Sequence, residues 1–496
     1  MQNPIYRWDY YGARAALGLI FWVPVTYYVF SGSRPARAAH LLLLSAWMWL
    51  PERAAFDFPA LPAVGKHEIA ALAALLWAAT HVRRRVRAAR IGRGFDFLIL
   101  LLVPAVYGTV LTNRDLVVQG AVRLVRLPGL TMTDPVSMSL DDIIHYGVPW
   151  WLGRTFLRTS KDLRDFFHAL VACGLVYTVP ILWEKRMSPN LHSQLWGFAS
   201  RQNWMQNTRG DAYRPTVFME HPLTVGMFMF ITTVAAVALY KAGRRAFWDL
   251  QLTWIIVYFF LVLFLCKASA ALIYAMVVGA FTVFLSPKWQ VRWALILGLA
   301  VFAYPITRVY DVFPTQKLVA LSNAISKDRG SSLLFRFDNE DVLVARAMER
   351  PWFGWGGFGR ERLFDNEMGK DVVVQDGAWV ITLGQRGTVG LFLPYLILLL
   401  PLFIVGRRLK HIPRRSDRVL VTAATLILVV CAVNTLPNMT LQNIPYYISG
   451  GLLALLRELP MEAQRARELF AQGAQAGPSE PQPEAAAARV DVGPVT

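Results

Sequence analysis

Long apolar runs broken by short polar segments repeat along almost the whole chain. About 17–25 apolar residues cross the roughly 30 Å hydrocarbon core of a bilayer as one helix. On that length the runs place candidate spans at 14–30, 37–50, 68–82, 95–112, 141–157, 166–183, 223–240, 249–266, 268–285, 293–307, 387–405, 418–434 and 443–456. The second, fifth and last are the weakest signals, so the pattern predicts about 11–13 transmembrane helices. The fifth contains DIIHYGVPWWLGRTFL, which is polar enough to line a cavity. The expected fold is an all-α polytopic membrane protein. It divides into N-terminal helices (1–140), central helices with a loop near 184–222 (141–307), one large loop (308–386), C-terminal helices (387–456) and a tail (457–496).

Charge orients this arrangement. RRRVRAARIGR (83–93), KAGRR (241–245), PKWQVR (287–292) and RRLKHIPRRSDR (407–418) all fall on one side when the intervening spans are counted. Basic loops stay in the cytoplasm, so segments 113–140, 184–222 and 308–386 are expected outside. The net charge of +18 across 496 residues then reflects topology, and no nucleic-acid motif accompanies it. With 55% hydrophobic residues and a mean hydropathy of +0.38, little room remains for a separate soluble domain. Cys173, Cys266 and Cys431 all lie inside apolar runs, which argues against a disulfide framework or a cysteine metal site. The N-terminus lacks a cleavable signal pattern, so the first span is expected to remain. The tail from about Pro460, rich in Ala, Pro, Glu and Gln, reads as disordered and cytoplasmic.

The large loop has its own logic. Residues 333–349 suggest an amphipathic helix with Leu334, Phe337, Val342, Ala345 and Met348 on one stripe, and Asp338 or Asn339 capping a turn. Pro351 stops that helix. The stretch ERPWFGWGGFG (349–359) follows, too broken to span a bilayer and too aromatic for an idle linker. Its glycines permit tight turns and close backbone approach, and its rings suit the headgroup interface. Glu184, before Lys185 and Arg186, reads as half of an edge ion pair.

Taken together, these motifs resemble the O-antigen ligase and polysaccharide polymerase family over about residues 145–450. ERPWFGWGGFG is similar to that family's Pro-x-x-Gly-x-Gly turn, and QDGAWVITLGQRGTVGLFLPYL (375–396) to the Gly-x-x-Gly start of its following span. RPTVFMEHPLTVGMFM (214–229), LCKASAAL (265–272) and ILWEKRMSPNLHSQLWGF (181–198) resemble its other elements in order. The resemblance implies a GT-C-like, metal-independent glycosyltransferase with no cofactor. Such an enzyme uses an undecaprenyl-diphosphate-linked glycan at the periplasmic face of the bacterial inner membrane. Its partners are the lipid bilayer, a flippase, and chain-length or export proteins.

A lipid diphosphate leaving group needs cations. Arg214, at the family's arginine position, and Lys267, where relatives carry arginine, are the first candidates, followed by Arg336 and Arg346. An acceptor hydroxyl needs a proton acceptor. Ligases of the family place a histidine late in the large loop, but none occurs here between His221 and His411. Asp376 stands nearest that place, with a helix N-cap as its structural alternative. His221, at the start of a span, is the other candidate base. Trp352, Trp355 and Phe358 are candidates for stacking on sugar rings, or for anchoring the loop. The missing histidine favours a polymerase of lipid-linked repeat units over a ligase acting on lipid A core or protein. A transporter, or a non-enzymatic assembly scaffold, is the reading from another class. No internal repeat of the kind transporters show is evident.

Overall fold

The computed structural model describes residues 12–59, 61–89, 95–200, 207–209, 212–439 and 443–475. The first helices are α1 (Gly12–Phe30), α2 (Pro35–Trp49), α3 (Lys66–His81), α4 (Arg83–Ala88), α5 (Phe97–Leu100) and α6 (Leu102–Leu111). A hairpin of β1 (Val117–Gln119) and β2 (Val125–Leu127) pairs Val117 with Leu127. Then come α7 (Asp134–Asp142), a π-helical turn (Ile143–Gly147), α8 (Val148–Phe156), α9 (Ser160–Arg186) and α10 (Leu191–Trp196). Strands β3 (Thr208–Arg209) and β4 (Ala212–Tyr213) lead to α11 (Pro222–Lys241). Strands β5 (Ala246–Phe247) and β6 (Leu250–Gln251) lead to α12 (Leu252–Leu265), α13 (Ser269–Phe284) and α14 (Pro287–Val309). The large loop holds α15 (Thr315–Ile325) and α16 (Lys327–Met348), and the chain closes with α17 (Ala378–Arg408), α18 (Arg415–Asn434) and α19 (Asn443–Gln475).

This is an all-α membrane protein. Each apolar run predicted to span falls on helix, and among the described residues six helices are long and apolar enough to cross a bilayer: α1, α9, α11, α14, α17 and α18. The runs at 97–111, 252–265 and 269–284 form shorter apolar helices. Helices α11 and α18 are buried along most of their length, whereas in α1 and α14 only a minority of residues are buried. The bundle is therefore built around α11 and α18, with apolar outer faces left for lipid.

Without water-driven collapse inside a membrane, helices pack through small residues. Helices α8 and α19 show this most clearly. A Cβ on Gly153 would lie 1.9 Å from the Tyr447 carbonyl oxygen, and one on Gly450 1.8 Å from that of Trp150. The two backbones touch, and only glycine fits.

Ion pairs sort the loops into two ends. At the basic end, Arg34 and Arg37 hold Asp165, Arg85 holds Asp162, Arg158 holds Glu458, and Ser160 donates to Asp417. At the other end, the Glu52 amide bonds His192, Lys66 donates to the Phe218 carbonyl, and Arg350 pairs with Asp115. The large loop and the segments after α2, α6 and α9 share that second end, as the charge pattern predicts.

Four local expectations need correction. The buried stripe of α16 runs through Phe337, Glu340, Leu343, Val344 and Ala347, while Leu334, Val342 and Met348 are exposed. A shift of one residue rotates a helical stripe by about 100°, and the helix starts earlier than its apolar residues suggested. Asp338 and Asn339 lie inside that helix and cap nothing; Asn339 instead accepts the Val374 amide at 2.9 Å. Glu184 is fully buried, and its carboxylate accepts the amides of Leu191, Thr216 and Val217 at 2.7–3.0 Å. It organises the loop after α9 rather than pairing at an edge. Finally, α19 continues to Gln475 through Pro460, tied by Glu462 to Arg414; residues 476–496 of the expected tail lie outside the described residues.

Candidate functional site

The aromatic–glycine stretch completes a broken helix. Helix α17 is interrupted at Gly387, whose φ of 67° and ψ of −168° are open only to glycine. In an unbroken helix the Gly384 and Gln385 carbonyls would accept the Thr388 and Val389 amides. Here the Trp355 amide takes Gly384 at 2.8 Å and the Gly356 amide takes Gln385 at 2.9 Å. The Thr388 amide donates to Pro351 at 2.7 Å and the Val389 amide to Trp352 at 3.2 Å. Residues 351–356 are thus inserted into the ladder of α17, which satisfies backbone groups that a bilayer could not. Gly354 and Gly387 face each other with no room for a Cβ on either.

Around this latch the loop has its own small core. Trp355 is buried against Val117 and Leu127. Arg346 stacks 3.4 Å from its ring centroid and Arg350 4.2 Å. The Arg346 guanidinium also donates to Glu349 and to the Arg360 carbonyl. Arg360 is fully buried and donates to the carbonyls of Trp355, Asp115 and Pro128. The hydrogen bond from Arg350 lowers the Asp115 carboxyl below its ordinary value. Trp355 is therefore structural and presents no face to a glycan, and Arg346 is a fastener within the loop. Trp352 and Phe358 remain exposed, at 68% and 69%.

Of the remaining candidates, Arg336 and Asp376 come together. Their closest atoms are 3.6 Å apart, and Arg336 also donates to the Pro437 carbonyl. Asp376 does not cap α17; that position is Gly377, and the Ala378 amide bonds the carbonyls of Thr435 and Asn438. Arg336 and Asp376 line a cavity of about 210 Å³ with Glu340, Tyr304 and Phe313. Burial pushes the Glu340 carboxyl up, against the hydrogen bonds from Tyr304, Arg308 and Trp379. A carboxyl raised in this way beside an arginine is suited to proton transfer. Sequence reasoning passed over Glu340 because it looked like one more acid on a charged helix.

Arg214 and Lys267 form a second group. Arg214 is buried just ahead of α11. Lys267 sits in the turn between α12 and α13 at φ 51°. Lys267 follows Cys266 in that turn, and Arg214 and Lys185, which donates to the Tyr213 carbonyl, lie within electrostatic range of the Cys266 thiol. His221 caps α11, its Nδ1 accepting the Leu223 amide at 2.9 Å, so that nitrogen is engaged in holding the helix start.

A third group was not anticipated. The π turn carries His145 between Glu68 at 3.1 Å and Asp141 at 3.3 Å. These three residues place possible metal-ligand atoms within 4.8 Å of one another, and they also close as an ion-paired set. Beside them Arg386, one residue before the break in α17, faces Asp142 at 3.5 Å. π turns concentrate at functional sites; in the sequence, the only hint was the polarity of the fifth span. No protein-family model matches the chain, and no curated protein matches it.

Proposed function

We propose that this protein is a GT-C-like membrane glycosyltransferase of the polysaccharide polymerase type, with about 11–13 spans. It would join undecaprenyl-diphosphate-linked oligosaccharide units into a surface polysaccharide at the periplasmic face of the bacterial inner membrane. The observation that carries this reading is the gathering of Arg214, Lys185 and Lys267 around Cys266 at the end that bears the large loop. Helices α12 and α13 have 14 and 16 residues. At 1.5 Å per residue they rise only about 21–24 Å, short of the hydrocarbon thickness. Helices this short would leave their turn recessed from the membrane surface, next to exposed apolar residues such as Phe264, Leu261 and Ile273. A diphosphate on an apolar chain matches this combination of cations and open apolar flank. Arg336, with Asp376 and Glu340 across a shared cavity, supplies a further cation and two carboxylates for orienting and deprotonating an acceptor hydroxyl.

The test is a deletion strain complemented with wild type, Arg214→Ala, Lys267→Ala or Asp376→Asn at equal membrane levels. Lipid-linked intermediates and surface glycan are then resolved by size. The proposal expects single lipid-linked units and no long chains from Arg214→Ala. Full-length chains held on the carrier would instead identify a ligase. Unchanged glycans in the deletion itself would remove both enzyme readings.

A further inference from the structure

Where helix α17 breaks, it borders a cavity of about 130 Å³ that Asp376 does not line. One wall is polar: Asp141, Asp142, Tyr146, Thr382, Gln385 and Arg386. The rest of the lining, from α6 and the α17 segment after the break, is apolar apart from Thr109, with Leu102, Ala105, Val106, Leu393 and Pro394. The size is slightly below the roughly 150 Å³ cavity that takes a benzene ring, and the cavity is partly open, so it can seat the ring of one sugar only with outer substituents projecting through its mouth.

The polar wall is incomplete. The Arg386 Nη1 is buried without a hydrogen-bond partner, while its Nη2 reaches Asp142 at only 3.5 Å. A buried guanidinium N–H needs an acceptor. The local charge limits what that acceptor can be. Among the described residues, the three carboxylates of Glu68, Asp141 and Asp142 pair with Arg386 and His145, and the His67 ring lies 6.2 Å from that of His145, so a phosphate or carboxylate entering here would meet an acidic excess. A cation would leave the Arg386 N–H unmet. A hydroxyl can accept from Arg386 and donate to Asp142 at once. Vicinal hydroxyls on a ring whose C–H face lies on Leu102 and Val106 would satisfy both walls.

We propose that this cavity is a subsite for a neutral sugar ring, separate from the cationic recess at Lys267. It rests on the glycosyltransferase reading only in assigning that ring to the bound glycan, at a sugar other than the one whose hydroxyl meets Asp376 and Glu340. Donor diphosphate and this neutral sugar would then occupy different sites, sorted by charge.

The test uses the full-length protein in lipid nanodiscs. It is titrated with methyl glycosides of glucose, galactose, mannose and N-acetylglucosamine, followed by saturation-transfer NMR. Methyl glucuronide and inorganic phosphate serve as charged probes. At least one neutral glycoside is expected to bind more tightly than either anion. Asp142→Asn, and Ala105→Trp to fill the cavity, should each weaken it by roughly tenfold or more. Equal thermal unfolding temperatures would confirm that both variants fold; should the tryptophan fail, Asp142→Asn still decides. Preference for the anions, undiminished binding in Asp142→Asn, or no neutral binding up to about 100 mM would overturn the proposal. In the last case the cavity simply holds water. Because the titration needs no lipid-linked donor, it can succeed while the polymer assay fails, or the reverse.

Discussion

Replacing Gly354 by alanine tests whether the loop is inserted into the ladder of α17. A Cβ there lies 2.5 Å from the Gly387 nitrogen and 2.6 Å from both the Arg386 nitrogen and the Gln385 carbonyl carbon. These are backbone atoms, so no rotamer relieves the overlap, and the two segments must part by about 1 Å to reach ordinary contact. The four flanking hydrogen bonds, now 2.7–3.2 Å, would then be lost. At about 0.5–1.5 kcal/mol each, plus roughly 1–2 kcal/mol for alanine at a left-handed φ, the latch loses roughly 3–8 kcal/mol. The loop can detach without unfolding the bundle, so the loss should appear locally. Hydrogen exchange over 349–359 and 382–390 is the assay. Amides of Trp355, Gly356, Thr388 and Val389 should exchange rapidly in Gly354→Ala, while α11 and α18 stay protected. Gly359→Ala is the control: its φ is 82°, but nothing lies within 4 Å of the added Cβ. It bears only the conformational cost and should keep those amides protected. Equal exchange in the two variants would refute the insertion.

Three further outcomes follow from buried groups. His192 accepts the Glu52 amide at Nε2 and bonds the Phe198 carbonyl through Nδ1, a pattern only the neutral ring provides, and burial lowers its pKa to about 4. Because this lies below the ordinary 6.5, the stabilisation is complete above pH 6.5 and fades as pH falls towards 4. The cost at pH 5 is about 2 kcal/mol. Thermal unfolding from pH 8 to 5 should show the decline in wild type and a flatter profile in His192→Gln; identical profiles would remove the assignment. Glu184→Gln puts an NH₂ against amide donors and should cost on the order of 3 kcal/mol. An unaltered unfolding temperature would contradict that role. Gly450→Ala should force α8 and α19 apart and lower the unfolding temperature by several degrees, at roughly 2–3 kcal/mol, while Gly197→Ala, with φ 89° and no atom near the added Cβ, should cost less.

The bundle was legible because span length and basic-loop parity are carried by runs of residues. Moving one boundary by two residues changes neither the number of apolar runs nor the side on which 83–93 and 407–418 emerge. The break in α17 was legible only in part. Gly387 and Gly390 marked the start of a span, and the glycines before Gly359 marked a tight turn, but nothing local says that one fills the other. That pairing depends on four hydrogen bonds between segments some thirty residues apart. The third polar group was hidden for the same reason: Glu68, Asp141 and Arg386 come from three distant helices.

Arginine shows most directly why sites resist sequence reading. Arg308, Arg336, Arg346, Arg350 and Arg360 lie in or beside one loop and look alike in the sequence. Four of them are spent on the fold, Arg350 through Asp115, Asn113 and the Thr112 carbonyl. Arg308 and Arg360 have side chains 1% exposed and Arg346 9%, with their donors directed to Glu340, Asp115 and backbone carbonyls. Burial with such partners fastens the loop but leaves no charge for a ligand. Arg336, 37% exposed on the rim of a cavity and opposite Asp376 at 3.6 Å, keeps a face open. What separates it from its neighbours is the burial of its guanidinium. That in turn depends on a stripe of α16 whose register the sequence misplaced by turning Leu334, Val342 and Met348 inward. Getting the helix right and its rotation wrong is enough to exchange fasteners for ligands, which is why Arg346 looked like a phosphate binder and proved to be part of the loop core.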